Sequence, residues 1–171
     1  MLHVDPHLKD MVRKQIEERS KRTGPAKRPI TTVKGTALFD LQFRAEVEGH
    51  SFIADERASA GGHDAGPAPM RYFIAGIMLC HKVWVVKSAA LKDIAFDKLE
   101  GEISLYGDDP IPRLAYKVII DSPHTDKEIA GIVEDGAQGC LAFKTMERAA
   151  RIDLTVVHNG KTIVEETRGA A

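Results

Sequence analysis

The chain lacks the features that mark several large protein classes. It has two cysteines in 171 residues. That is too few for a disulfide scaffold, and a reducing compartment keeps both as thiols unless they do chemistry. Charge of one sign is also missing: 24 Lys and Arg stand against 25 Asp and Glu, a net of −1. Such a balance gives no field for nucleic acid or an anionic membrane. Met1–Asp10 carries His3, Asp5, His7 and Lys9 and so has no apolar run of signal-peptide type. The longest apolar stretch, Tyr72–Cys80, runs into His81-Lys82 and is too short for a bilayer. A soluble, cytoplasmic protein is the expectation.

Further absences narrow the chemistry. The Gly-rich loop Ala60–Pro69 has neither GxxxxGK[ST] nor GxGxxG spacing, so it is no phosphate cradle. No G-x-S-x-G elbow supports a Ser/His/Asp triad. None of the usual zinc-ligand spacings occurs, and Cys80 and His81 as helix neighbours point about 100° apart. No metal and no cofactor are expected. His124 and Asp126 read as turn and cap residues.

Hydrophobic residues make up 43% and charged residues 29% of the chain, as in an ordinary folded domain. The first 34 residues differ, with nine Lys and Arg against four acids. Leu8, Met11, Val12 and Ile16 recur at helical spacing, so Pro6–Ser20 reads as an amphipathic helix. Thr23-Gly24-Pro25 and Pro29 end it in a linker. Residues 1–30 are therefore set apart from a domain spanning 31–171. The helix is either a basic arm for an acidic partner or a solvated face packed on its own domain or on a partner subunit.

From Thr31 to Asp55 the pattern has period two: Phe43, Ala45 and Val47 alternate with Gln42, Arg44, Glu46 and Glu48. This predicts an antiparallel meander with one polar face, turning at Glu48-Gly49-His50. Pro69 suits the first turn of a helix over Tyr72–Val86 that is apolar almost all round. Such a helix has to be covered on every face, most simply by a second copy of the chain. The β-branched run Val83–Val86 offers a strand as the alternative, which the length of the run disfavours.

Strands follow at Ile94–Tyr106 and Leu114–Asp121 around an Asp108–Pro112 loop. Thr125-Asp126-Lys127-Glu128 has capping-box spacing for a helix to about Ala137. Cys140 then opens a short helix toward Ala149. Ile152–Val157 and Thr162–Glu165 form a hairpin around Asn159-Gly160. The class is α+β with an antiparallel sheet. Taken alone, each cysteine reads first as a small core hydrophobe, and a reactive Cys80 needs a cation brought from outside its own helix.

Asp55-Glu56, Ala60-Gly61-Gly62, Gly66-Pro67-Ala68-Pro69-Met70 and an apolar helix ending in Cys80 together resemble the OsmC/Ohr family of osmotically inducible and organic-hydroperoxide-resistance proteins. The family's second cysteine falls between a helix and the last strands, where Cys140 lies. The likeness covers roughly Thr32 to Glu166. It implies an OsmC-like fold, an antiparallel sheet wrapped around a long buried central helix, in an intertwined homodimer. It also implies a peroxidase acting on organic hydroperoxides in oxidative stress defence. Cys80 takes the peroxidatic position, Cys140 the resolving one, and Arg44 is the best match for the catalytic arginine. A dithiol, in some members a lipoylated protein, is the implied reductant.

Two departures stand out. The family's peroxidases place a glutamate where this chain has Met70, and relatives with Met there follow it with Glu where this chain has Arg71. Glu56 is a candidate replacement for the missing carboxylate, as are Glu46, Asp55 and Asp64, and Arg71 a candidate for the cationic role. Leu141 stands where the family often has proline. The missing glutamate keeps open a non-catalytic dimer that binds a small apolar ligand, and the basic N-terminal helix offers a third reading as an interaction protein.

Overall fold

The computed structural model describes residues 7–24, 29–107 and 112–169. The expected helix start at Pro6, the linker residue Pro25 and most of the Asp108–Pro112 loop lie outside the described residues. The chain forms two compact units, one of residues 22–73 and one of residues 1–21 with 74–171.

The smaller unit is the expected meander. Strands β1 (Lys34–Phe39), β2 (Gln42–Val47) and β3 (His50–Ala54) pair antiparallel in chain order. The turns are built by residues that tolerate a left-handed backbone: Asp40 (φ 43°) between β1 and β2, and Glu48 and Gly49 (φ 51° and 83°) between β2 and β3. Phe39 and Phe43 are 60% and 45% exposed, so the sheet's apolar side chains are not fully covered within the chain.

Beyond β3, the Asp55 carboxylate organises the glycine-rich loop. Its Oδ2 accepts from His63 N (3.1 Å), Ala65 N (3.2 Å) and Gln42 Nε2 (3.5 Å). A Cβ at Gly62 would collide with the Glu56 carbonyl, which is why glycine stands there.

The larger unit is built on α2 (Pro69–Lys92), whose first residues belong to the smaller one. Pro69 opens the helix, and the Val83–Val86 run continues it rather than forming a strand. At 24 residues α2 exceeds the expected span and is, by length and composition alone, long and apolar enough to cross a membrane, contrary to the expectation from the shorter apolar stretch. Nor is it covered all round within one chain. Ile77, His81, Val85, Ser88 and Ala89 are buried, whereas Met70, Phe73, Leu79 and Val83 are each more than half exposed.

A four-stranded sheet is formed by β4 (Lys98–Tyr106), β5 (Arg113–Asp121), β6 (Arg151–His158) and β7 (Lys161–Gly169) in that order. One expectation fails here. The sheet is mixed, because β5 and β6 pair in parallel, Arg113 opposite Arg151 through to Ile120 opposite His158. The reason is the connection: α3 (Asp126–Gly139) and α4 (Leu141–Glu147) return the chain to the same end of the sheet, the crossover that parallel neighbours require. The outer pairs β4–β5 and β6–β7 are antiparallel as expected.

Local chemistry sets the boundaries. Thr125 Oγ1 accepts from Glu128 N, and Glu128 Oε2 accepts from Thr125 N at 2.9 Å, a complete capping box. Asn159 and Gly160, both at positive φ, make the β6–β7 turn. The core packs Ile129, Ile132 and Val133 of α3 and Phe143 of α4 with Leu114, Tyr116, Val118, Ile120, Ile152 and Leu154 of the central strands. Residues 8–20 form α1, which belongs to this unit and buries Val12 completely.

Candidate active site

Cys140 occupies the joint between two helices. It is the C-terminal flank of α3, where its N–H donates to Gly136 O (3.0 Å), and the N-cap of α4, where its Sγ accepts from Phe143 N (3.4 Å). Its extended backbone (φ −83°, ψ 114°) breaks the helical path and turns the side chain inward, leaving the residue fully buried. Cys80, half-buried on α2, meets it there. The Cys140 thiol donates toward Cys80 Sγ across 3.1 Å, so both are free thiols one small movement from the ~2.04 Å of a disulfide.

Burial pushes the Cys140 thiol up to about 11, and charge on Cys80 would push it the same way, against the opposing pull of the Phe143 amide. Cys140 is therefore a thiol that holds its proton and directs it toward Cys80.

The next residue, His81, is the part of this region that sequence reasoning missed. It is wholly buried, its Nδ1 lies 3.0 Å from the Tyr116 hydroxyl, and its Nε2 lies 3.2 Å from Val133 O. A carbonyl can only accept, so Nε2 carries the proton and Nδ1 accepts from Tyr116. The ring also lies against Phe143, with centroids 5.1 Å apart. Burial lowers His81 to about 4. The same cause, with the Cys140 charge behind it, raises the Tyr116 hydroxyl. One buried imidazole thus ties α2 to β5, α3 and α4 around the thiols. The available signal was a histidine inside an apolar run, since a buried polar group must find partners.

The remaining predicted residues fall in the smaller unit. Arg44 lies on β2 opposite Ile53, exposed, on the same face of the strand as Gln42. Glu56 is half-buried just after β3, and its carbonyl accepts from Asp64 N (3.1 Å). Arg71 is exposed in the first turn of α2. The neighbouring Asp55 is 1% exposed. Burial works to raise its carboxyl, but the hydrogen bonds from Ala65, His63 and Gln42 together hold it below its usual range. Its Oδ1 is the one buried side-chain polar atom left without a partner among the described residues. No group of three or more His, Cys, Asp or Glu side chains suited to a metal occurs among the described residues.

Residues 61–155, which include both thiols, match the family model described as OsmC-like protein. The chain belongs to the OsmC-like family.

Solved structures agree on the fold. The organic hydroperoxide resistance protein OsmC of Legionella pneumophila is 18% identical with a TM-score of 0.61, over 78% of this chain and 99% of that one. The OsmC-like protein of Mycoplasma pneumoniae is 16% identical with a TM-score of 0.65, over 78% of this chain and 100% of that one. An organic hydroperoxide resistance protein of Elizabethkingia anophelis is 15% identical with a TM-score of 0.63, over 79% and 100%. No curated protein matches the chain. In this OsmC-like protein the α+β class, with its helices and two sheets, is that of the family fold.

Proposed function

We propose that this OsmC-like protein is a thiol-dependent peroxidase that reduces organic hydroperoxides. The observation that carries this reading is the 3.1 Å separation of the Cys80 and Cys140 sulfurs, with the buried, proton-retaining thiol as donor. The Cys80 thiolate attacks the terminal oxygen of ROOH. The O–O bond breaks, a sulfenic acid forms on Cys80, and the alkoxide leaves as the alcohol after taking a proton. Cys140 then attacks the Cys80 sulfur, closing a disulfide and expelling water. A small-molecule dithiol or a lipoylated protein returns both thiols.

Arg44 is assigned the cation that stabilises the thiolate and the departing oxygen, with Glu56 supplying the carboxylate that Met70 lacks and Arg71 as the alternative cation. The catalytic domain is residues 31–171, with 1–30 an added element, and the working form is a cytoplasmic homodimer. What supports the dimer is α2, where Met70, Phe73, Gly76, Leu79 and Val83 lie three and four residues apart along one exposed face. An apolar helical stripe of this length needs a cover, and an open glycine within it lets a second helix come close.

The test is consumption of tert-butyl hydroperoxide with a dithiol reductant. Wild-type protein is expected to turn over and to show a Cys80–Cys140 disulfide by non-reducing mass spectrometry. Cys80→Ser should abolish turnover, and Cys140→Ser should leave Cys80 oxidised without closing the bond. No turnover, with both wild-type thiols unchanged by peroxide, would defeat the reading and favour a dimer that binds an apolar ligand.

A further inference from the structure

Helix α1 lies outside the stretch that matches the family, yet it docks along α2 in a definite register. Lys9 pairs with Asp93 at 2.5 Å, Lys87 Nζ donates to Gln15 Oε1 at 2.7 Å, and the Arg19 guanidinium lies 5.8 Å from the centre of the Trp84 ring. The two helices therefore run antiparallel, and each step toward the C-terminus of α1 moves up α2 toward Cys80. Val12 is 1% exposed in this arrangement.

Trp84, the single tryptophan of the chain, stands one helical turn beyond Cys80. Lys87 brings a second cation to within 4.6 Å of its ring centre. The indole lies on Gly139, where a Cβ would overlap it, and Gly139 immediately precedes Cys140. A line of neighbouring groups thus runs from Arg19, the farther of the two cations at 5.8 Å from the ring centre, through Trp84 to the joint that holds the buried thiol.

We propose that α1 is a strap: Arg19 seats Trp84 on Gly139 and so holds the Cys80 turn of α2 against the α3–α4 joint. Arg19 and Trp84 are positioning residues; they set the thiol pair without touching the reacting atoms. The inference rests on Cys80 and Cys140 working as a pair. Cys140 is fully buried, so any reagent reaches it through a local opening. Each interaction that must break for the joint to open makes that opening rarer. A cation over a partly exposed aromatic face such as that of Trp84 contributes enough to change such an equilibrium about two- to five-fold. The coupling is reciprocal: a change in the pair that shifts Trp84 alters the docking of α1 by the same factor.

The experiment reads maleimide labelling of Cys140 in full-length Cys80→Ser protein, where it is the single thiol. Arg19→Ala is expected to speed labelling about two- to five-fold, while Arg19→Lys, which keeps a cation over the indole, stays near the parent rate. Val12→Asp, which expels the whole helix, should speed it further and shift Trp84 emission to the red. In protein with both cysteines, oxidation by diamide should change Trp84 emission, and the change should shrink in Arg19→Ala. Equal labelling rates in the parent, Arg19→Ala and Arg19→Lys would overturn the proposal, whether or not Val12→Asp folds. Peroxide turnover is not read, so an inactive enzyme would leave the result interpretable.

Discussion

The Tyr116 hydroxyl donates to Nδ1 of His81, 3.0 Å away, and this bond fixes the imidazole as neutral in the middle of an apolar core. An imidazole at about 4 in the folded state, against 6.5 when unfolded, makes the fold sensitive to acid. The unfolded chain binds the extra proton, so stability is full above about pH 6.5 and falls as pH drops toward 4, by about 3 kcal/mol in all. Urea midpoints measured across this window should slope accordingly. The double variant His81→Leu/Tyr116→Phe, which removes both polar groups together, should flatten the slope. An unchanged slope would mean that another group titrates.

The two thiols should differ in reactivity. At about pH 8 a thiol near 11 is ionised to roughly one part in a thousand, and Cys140 is in addition fully buried. Iodoacetamide should therefore modify Cys80 first in native protein, with Cys140 following only in denaturant. Peptide mapping after brief labelling decides it, and equal labelling would contradict the burial.

Gly139→Ala tests the packing of Trp84. The added methyl would overlap the indole ring, and overpacking of this kind costs about 1–3 kcal/mol. At Gly131 the nearest atom is the mobile Lys92 Nζ at 3.8 Å, so alanine there should instead stabilise the helix by about 0.5–1 kcal/mol. Thermal unfolding of the two variants should move in opposite directions.

A charge on the exposed stripe of α2 should break the proposed dimer without unfolding the chain. Leu79 and Val83 are 55% and 52% exposed, so glutamate at either removes little packing within one chain. Sedimentation of Leu79→Glu and Val83→Glu should shift from dimer toward monomer with native circular dichroism. A wild-type monomer would remove the premise.

Much of this could be read locally. The capping box at Thr125 and Glu128, the Asn159-Gly160 turn and the two-residue period of the meander each state their structure within a few residues. The nearness of Cys80 and Cys140 came only through family resemblance, because no local pattern measures a distance across 60 positions. The parallel pairing of β5 with β6 was missed for the same reason: strand periodicity is blind to direction, and direction is set by where α3 and α4 return the chain. The role of His81 is not legible locally, because one polar residue in an apolar run shows no partner until Tyr116 and Val133 are folded beside it. The nearness of Arg19 to Trp84 has no local signal either, because only the docking of α1 along α2 brings them together.

The parallel crossover has a consequence for the order of events in synthesis. Cys80 precedes its partner by 60 residues, which at about 5–20 residues per second leaves it without that partner for several seconds. Even once Cys140 has been made, it reaches Cys80 through a joint that β6 secures only by aligning beside β5, with Arg113 opposite Arg151. Such non-local pairing forms late, after the chain-closure entropy of the intervening segment has been overcome. An oxidant that arrives before then meets a single sulfur with nothing to resolve it. On the proposed mechanism, recovery from oxidation is acquired by the finished chain and is absent from the nascent one.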